Sequence, residues 1–152
     1  MSLFEYTTDL ACSPRSLYEF LLRPKNVELI STPNAGLRFV SAPEVVEVGS
    51  KVTFEINSFG RVNRGAHEII ELLHSEKIVE KQVEGAMREW LHTHTFVATN
   101  NGVHMVDRIE FLKPGGVLGF IVTEEKILDM LEDGYFYRQQ QLEKIVSSGE
   151  LS

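Results

Sequence analysis

Residues Glu89 to Lys113 read EWLHTHTFVATNNGVHMVDRIEFLK, and the two-residue periodicity on either side of Asn100-Asn101-Gly102 decides the fold. Two runs rich in Thr, Val, Ile and Phe, joined by Asn and Gly, are the signature of a β-hairpin. A two-residue loop at Asn100-Asn101 or at Asn101-Gly102 pairs even positions before it with odd positions after it. Either way, Trp90, His92, His94 and Phe96 share a face with Asp107, Ile109 and Phe111, while Thr93 and Thr95 share the other face with Arg108 and Glu110. The first set is mostly aromatic and apolar and is read as the inner face. In one register His94 and Asp107 are directly opposed, in the other diagonal. Both keep them within side-chain reach, so a hydrogen bond or ion pair is expected.

Working outward, further strands are read at Leu37 to Val40, Lys51 to Phe59, Asn63 to Leu73 and Lys77 to Glu84, separated by turn residues. Leu3 to Leu10 alternates and forms a first strand. Ser13 followed by Pro14 is an N-cap with proline at the first helical position, and Leu17, Phe20 and Leu21 supply the apolar stripe of a short helix. Pro24 interrupts it, and a second short helical segment runs from Lys25 to Ile30. Downstream, Pro114, Gly115 and Gly116 end the last strand. Ile127, Leu131, Tyr135, Arg138, Leu142 and Ile145 then recur at spacings of three and four in a long amphipathic helix, Thr123 to Val146. Gly134 in its middle costs about 1 kcal/mol against Ala; tight helix-to-sheet packing is the favoured explanation, with a kink or a ligand as the alternatives. The order of strand, two short helices, six strands and long helix implies an α+β fold with a seven-stranded antiparallel sheet, one domain over residues 1–152.

Composition narrows the function. The net charge of −7, with Lys and Arg scattered along the chain, argues against a nucleic-acid partner. Cys12 is the only cysteine, so no internal disulfide forms and a reducing, cytoplasmic compartment is expected. Met1 to Leu10 lacks a basic and apolar leader pattern, and no window approaches the roughly 20 apolar residues that span a bilayer. No membrane insertion is therefore expected.

Several motifs resemble the helix-grip superfamily of START, Bet v 1-like and polyketide cyclase-like domains (SRPBCC), as does the order of elements. Trp90-Leu91-His92-Thr93-His94-Thr95-Phe96 is similar to the W-x-H-x-H-x-F strand of a bacterial ligand-binding branch of that superfamily. Asp107, Pro114 and Gly119 resemble its next D and P-x-G-x-x-G segment, and Tyr137-Arg138 its late Y-R. The resemblance implies a curved sheet wrapped around the C-terminal helix with a cavity between them. Gly65 departs from it, since a bulky aromatic is expected there, and leaves the pocket's size and shape open.

The candidate ligand-binding residues are Trp90, His92, His94, Phe96, Asp107, Ile109 and Phe111 from the hairpin, Phe54, Ile56 and His67 from earlier strands, and Leu131, Tyr135 and Arg138 from the helix. Glu80 and Gln82 cannot be assigned a face, because a one-residue change in the Gly85 to Arg88 loop reverses them. For Arg138, an ion pair at the sheet rim is favoured over an anionic ligand group.

The same polar residues admit several uses. They can be a self-satisfied buried cluster. They can supply the few polar contacts of an apolar pocket that binds a lipid-, sterol- or polyketide-like molecule. His94 with Asp107 can serve as the catalytic pair of an acid–base cyclase or dehydratase. The domain can also be a protein-interaction module. His92 and His94 are spaced to aim at one volume, with Asp107 or His67 as a third ligand, but an HxH pair alone assigns no metal, and no cofactor fingerprint accompanies it. Binding of a small apolar molecule is the expectation taken forward.

Overall fold

The computed structural model describes all of the chain, Met1–Ser152. Its elements in order are β1 (Ser2–Leu10), α1 (Pro14–Leu21), α2 (Pro24–Leu29), β2 (Arg38–Ser41), β3 (Lys51–Ser58), β4 (Arg61–Leu73), β5 (Lys77–Glu84), β6 (Glu89–Thr99), β7 (Gly102–Leu112), α3 (Leu118–Ile121) and α4 (Glu124–Ser147). The seven strands form one antiparallel sheet in the order β1-β7-β6-β5-β4-β3-β2. From β2 onward each strand pairs with the next, and the first strand closes beside the last. With one long C-terminal helix over the sheet, this is a helix-grip-like α+β fold.

Local chemistry accounts for the element ends. The Ser13 side chain accepts from the Ser16 amide at 3.1 Å and Pro14 opens α1. Pro24 does the same for α2, so it begins a helix as well as ending one. Tyr18, which the Leu17/Phe20/Leu21 stripe leaves out, is buried with Leu17 and Leu21. In α4, the Thr123 side chain accepts from the Lys126 amide, and Glu124 and Glu125 stand in the positive first turn. Phe59 lies in the β3–β4 turn instead of ending a strand: Phe59 and Gly60 both have positive φ, as a two-residue hairpin turn requires. The single turn α3 has too few residues to leave a periodic pattern.

Two apolar clusters hold α4 to the sheet. Ile127, Leu131 and Tyr135 pack with Phe4, Ile109 and Phe111 near its start, and Leu142 packs with Leu10, Leu17, Phe96, Val103 and Met105 near its end. Full burial of a side chain such as Ile127 or Leu142 contributes about 1.5–3 kcal/mol. Among the strands, α4 lies closest to β1, where Tyr6 Oη donates to Gln139 Oε1 at 2.6 Å. Space remains on the other side, toward β3, β4 and β5.

Gly134 corrects the packing explanation. A Cβ built there meets nothing within 4 Å, and the residue borders that space. Gly102 is the opposite case. Its φ of 146° follows the Asn100-Asn101 loop, and a Cβ would collide with the Leu10 carbonyl oxygen. Gly102→Ala is accordingly expected to destabilise the fold by about 1–3 kcal/mol, whereas Gly134→Ala should raise stability by up to about 1 kcal/mol. Urea unfolding of both variants checks the pair of signs.

Candidate functional site

The β6–β7 register pairs Thr99 with Gly102, so the loop is Asn100-Asn101 and His94 stands directly opposite Asp107. Along β7 the inner face runs Met105, Asp107, Ile109; along β6 it runs Phe96, His94, His92, Trp90. The polar residues thus form a level between the two apolar clusters. Asp107 is 0% exposed, and His92 and His94 are also buried. Asp107 Oδ1 lies 2.9 Å from His92 Nε2 and 2.7 Å from His94 Nδ1. The first is a hydrogen bond. The second is a close approach without hydrogen-bond geometry, which leaves His94 Nδ1 without a bonded partner.

The β5–β6 register settles the residues left without a face. Glu80 pairs with His92 and Ile78 with His94, which turns Glu80 and Gln82 inward. Glu80 Oε1 lies 3.3 Å from His92 Nδ1 and 3.6 Å from His67 Nδ1. Glu80 and Gln82 are the site residues that the sequence left without a face, and only the length of the Gly85 to Arg88 turn could have assigned them. His92 therefore stands between two carboxylates. From α4, Tyr135 Oη comes within 3.1 Å of His92 Nε2, and the rings of His92 and His94 stack with centroids 3.8 Å apart.

Electrostatics separates the two imidazoles. Burial opposes charge on His92, but Asp107 and Glu80 outweigh it and raise its pKa. For His94, burial and the neighbouring His92 charge prevail over Asp107 and lower the pKa, so this ring is neutral. Burial would raise the pKa of Asp107, yet His94 and His92 hold it well below the usual carboxylate range. Glu80 is likewise held low, against its burial, by His67 and His92. Burial keeps Tyr135 protonated well beyond the ordinary tyrosine range, despite nearby Arg138. With the His92 Nε2 proton directed to Asp107, Tyr135 Oη accepts its second arm and keeps its own hydrogen to donate elsewhere.

The space beside this level is a cavity of about 820 Å³. Phe54, Ile56, His67, Trp90, His92, His94, Ile109, Leu131, Tyr135 and Arg138 all line it. Glu80, Gln82 and Gly134 line it as well. Three expected residues do not. Phe96 packs edge-on against Tyr18, Phe111 is fully enclosed beneath Trp90, and Asp107 lies behind the two histidines. Sharing a sheet face did not give Phe96 and Phe111 access, because the two apolar clusters cover both ends of that face. Gly65 makes room for the Phe54 ring, which a Cβ at residue 65 would meet at 2.8 Å. The aromatic bulk comes from β3 instead of β4, with Phe54 edge-on to His67. Arg138 joins no ion pair; its guanidinium lies 4.7 Å from the Tyr135 ring centroid and borders the cavity. A second hollow, of about 550 Å³ over the β3–β4 turn, contains none of the buried polar residues.

The fold and site define a class: a helix-grip-like domain with a carboxylate–imidazole level on the wall of a cavity between sheet and helix. No protein-family model matches the chain, and no curated protein matches its sequence. Solved structures do match in fold. Protein CV1439 from Chromobacterium violaceum superposes with a TM-score of 0.75 at 15% identity, over 96% of this chain and 98% of that one. TTHA0849 from Thermus thermophilus gives 0.73 at 13% identity, over 97% of both chains. The di-domain ARO/CYC StfQ from the steffimycin biosynthetic pathway gives 0.74 at 16% identity, over 97% of this chain but 51% of StfQ, about half its length. At these identities the likeness is one of fold.

The His92 charge has a signed consequence for stability. Its folded pKa is raised, so its contribution is fully present below the unfolded value, about 6.5, and is lost as pH rises through the folded value. His92→Gln should therefore cost more stability at pH 6 than at pH 9, measured by urea unfolding. Asp107→Asn leaves the buried imidazolium short of one carboxylate and is expected to cost about 3–5 kcal/mol.

Proposed function

We propose that this protein binds one small, largely apolar molecule in the cavity between sheet and α4, with a polar end of the ligand held at the His92–Glu80–Tyr135 level. The observation that carries the reading is the placement of that level on the wall of a cavity otherwise lined by Phe54, Ile56, Trp90, Ile109 and Leu131. The cavity volume is within the range, roughly 300–1,000 Å³, of sites for single organic ligands. The Tyr135 hydroxyl offers a donor and Glu80 an acceptor, so a hydroxyl, carbonyl or enol group suits the site. Lipid-, sterol- and polyketide-like molecules combine such a group with the necessary apolar bulk.

One observation favours a second reading. His92 is held between two carboxylates with a protonated tyrosine beside it, an arrangement able to exchange protons with a bound carbonyl compound. The fold neighbour StfQ is named as an ARO/CYC protein. An acid–base cyclase or dehydratase would act through His92 or His94, backed by Asp107.

Native mass spectrometry of the purified protein against its denatured mass, with solvent extraction of any retained compound, tests the binding reading. Trp90 is the single tryptophan and borders the cavity, so its fluorescence should respond when polycyclic phenols, sterols or fatty acids enter. Gly134→Phe should abolish that response by filling the space. Tyr135→Phe should weaken binding of a carbonyl-bearing ligand about tenfold, the value of one net hydrogen bond. An unresponsive protein across the panel would defeat the proposal. Release of a product lighter by one water, abolished by His92→Gln, would select the enzyme.

A further inference from the structure

Glu80, His92 and His94 each place one ligating atom within 4.8 Å of the others, on the face that borders the cavity. The backbone enforces this. Glu80 and His92 are direct cross-strand partners, and His94 follows two residues on along the same face. The 3.3 Å between Glu80 Oε1 and His92 Nδ1 is the edge a tetrahedral ion needs, since zinc bonds of about 2.0–2.1 Å place ligand atoms roughly 3.3–3.4 Å apart.

Asp107 supplies the second, independent feature. Its Oδ1 approaches Nε2 of His92 and Nδ1 of His94, the nitrogen on one side of each ring. Nδ1 of His92 and Nε2 of His94 are left to ligate. A buried carboxylate hydrogen-bonded to the outer nitrogen of an imidazole, as at His92, is the support found around metal-bound histidines, where it fixes the ring and raises its basicity. Charge agrees. Glu80 and Asp107 bring two negative charges, the first half-buried and the second wholly buried, and a divalent cation with two neutral imidazoles cancels both. His67 Nδ1, 3.6 Å from the same Glu80 oxygen, is the nearest further nitrogen.

We propose that Glu80, His92 and His94 form a zinc-binding site on the cavity wall, with Asp107 as the positioning residue behind both histidines and an open coordination position toward the cavity. Two nitrogens and one oxygen suit Zn²⁺ among common divalent ions. The site goes beyond the apolar-ligand reading and does not depend on it.

The test uses the tag-free full chain, treated with EDTA, dialysed and titrated with Zn²⁺. One equivalent retained after dialysis is expected, with X-ray absorption showing two imidazoles and oxygen at about 2.0–2.1 Å. His94→Ala and Glu80→Gln should each weaken Zn²⁺ binding at least 100-fold. Asp107→Asn should weaken it about 10–100-fold. His104→Ala, whose ring pairs with Asp9 on the surface, should leave binding unchanged. Near-UV circular dichroism establishes which variants fold, and absorption on the unaltered protein decides the matter even if a variant does not. Less than one equivalent bound, an absorption spectrum without imidazole, or binding that survives both His94→Ala and Glu80→Gln would overturn the proposal. Trp90 fluorescence with apolar ligands in the EDTA-treated protein reports on the cavity separately, so either reading can fail alone.

Discussion

A carboxylate with no exposure to solvent, Asp107, is the constraint around which the sheet is arranged. It stands between Met105 and Ile109, each part of an apolar cluster, where an unpaired charge would be untenable. Its direct cross-strand partners are Tyr6 on β1, whose hydroxyl bonds Gln139 instead, and His94 on β6; the carboxylate is reached by His94 opposite and His92 on the diagonal. His92 then faces a second carboxylate, Glu80, one strand further out, and a tyrosine from the helix. One buried charge thus accounts for a polar residue at the same level of β7, β6, β5 and α4. It also fixes register, because a slip of one residue would carry Asp107 outward and bring Arg108 into the core.

The cavity follows from how the helix meets the sheet. Apolar clusters grip α4 near its two ends and β1 lies closest along one side, so the opposite side stays open toward β3, β4 and β5. Gly134 keeps the helix surface low where space is needed, at a cost in helix propensity that nothing packed against it offsets. Gly65 and Phe54 trade places across β3 and β4, so the wall remains aromatic although its sequence pattern changes. An apolar chamber with one polar level orients what enters it: bulk is held by area, and direction by Tyr135, Glu80 and the imidazoles.

Much of this was legible in the chain. Alternation and turn residues placed all seven strands within two residues of their ends, and helical spacing placed the long helix. The hairpin arithmetic put His92, His94 and Asp107 on one inner face, as observed. These readings succeed because each depends on a local period. Sequence spacing said less about access. Phe96 and Phe111 share the inward face but are sealed in the clusters, and Arg138 stacks on Tyr135 instead of pairing with a carboxylate.

What the sequence alone determined, then, is the set of elements, their facing within the β6–β7 hairpin, and the meeting of His94 with Asp107, since a two-residue loop leaves one partition of side chains. Tertiary structure alone decided that Glu80 turns inward to His92, that Tyr135 completes the level from the helix, and which inner-face residues reach the cavity. The physical reason is separation along the chain. Glu80 depends on the register across an irregular turn, and Tyr135 lies 43 residues from His92, where only the packing of α4 on the sheet brings them together.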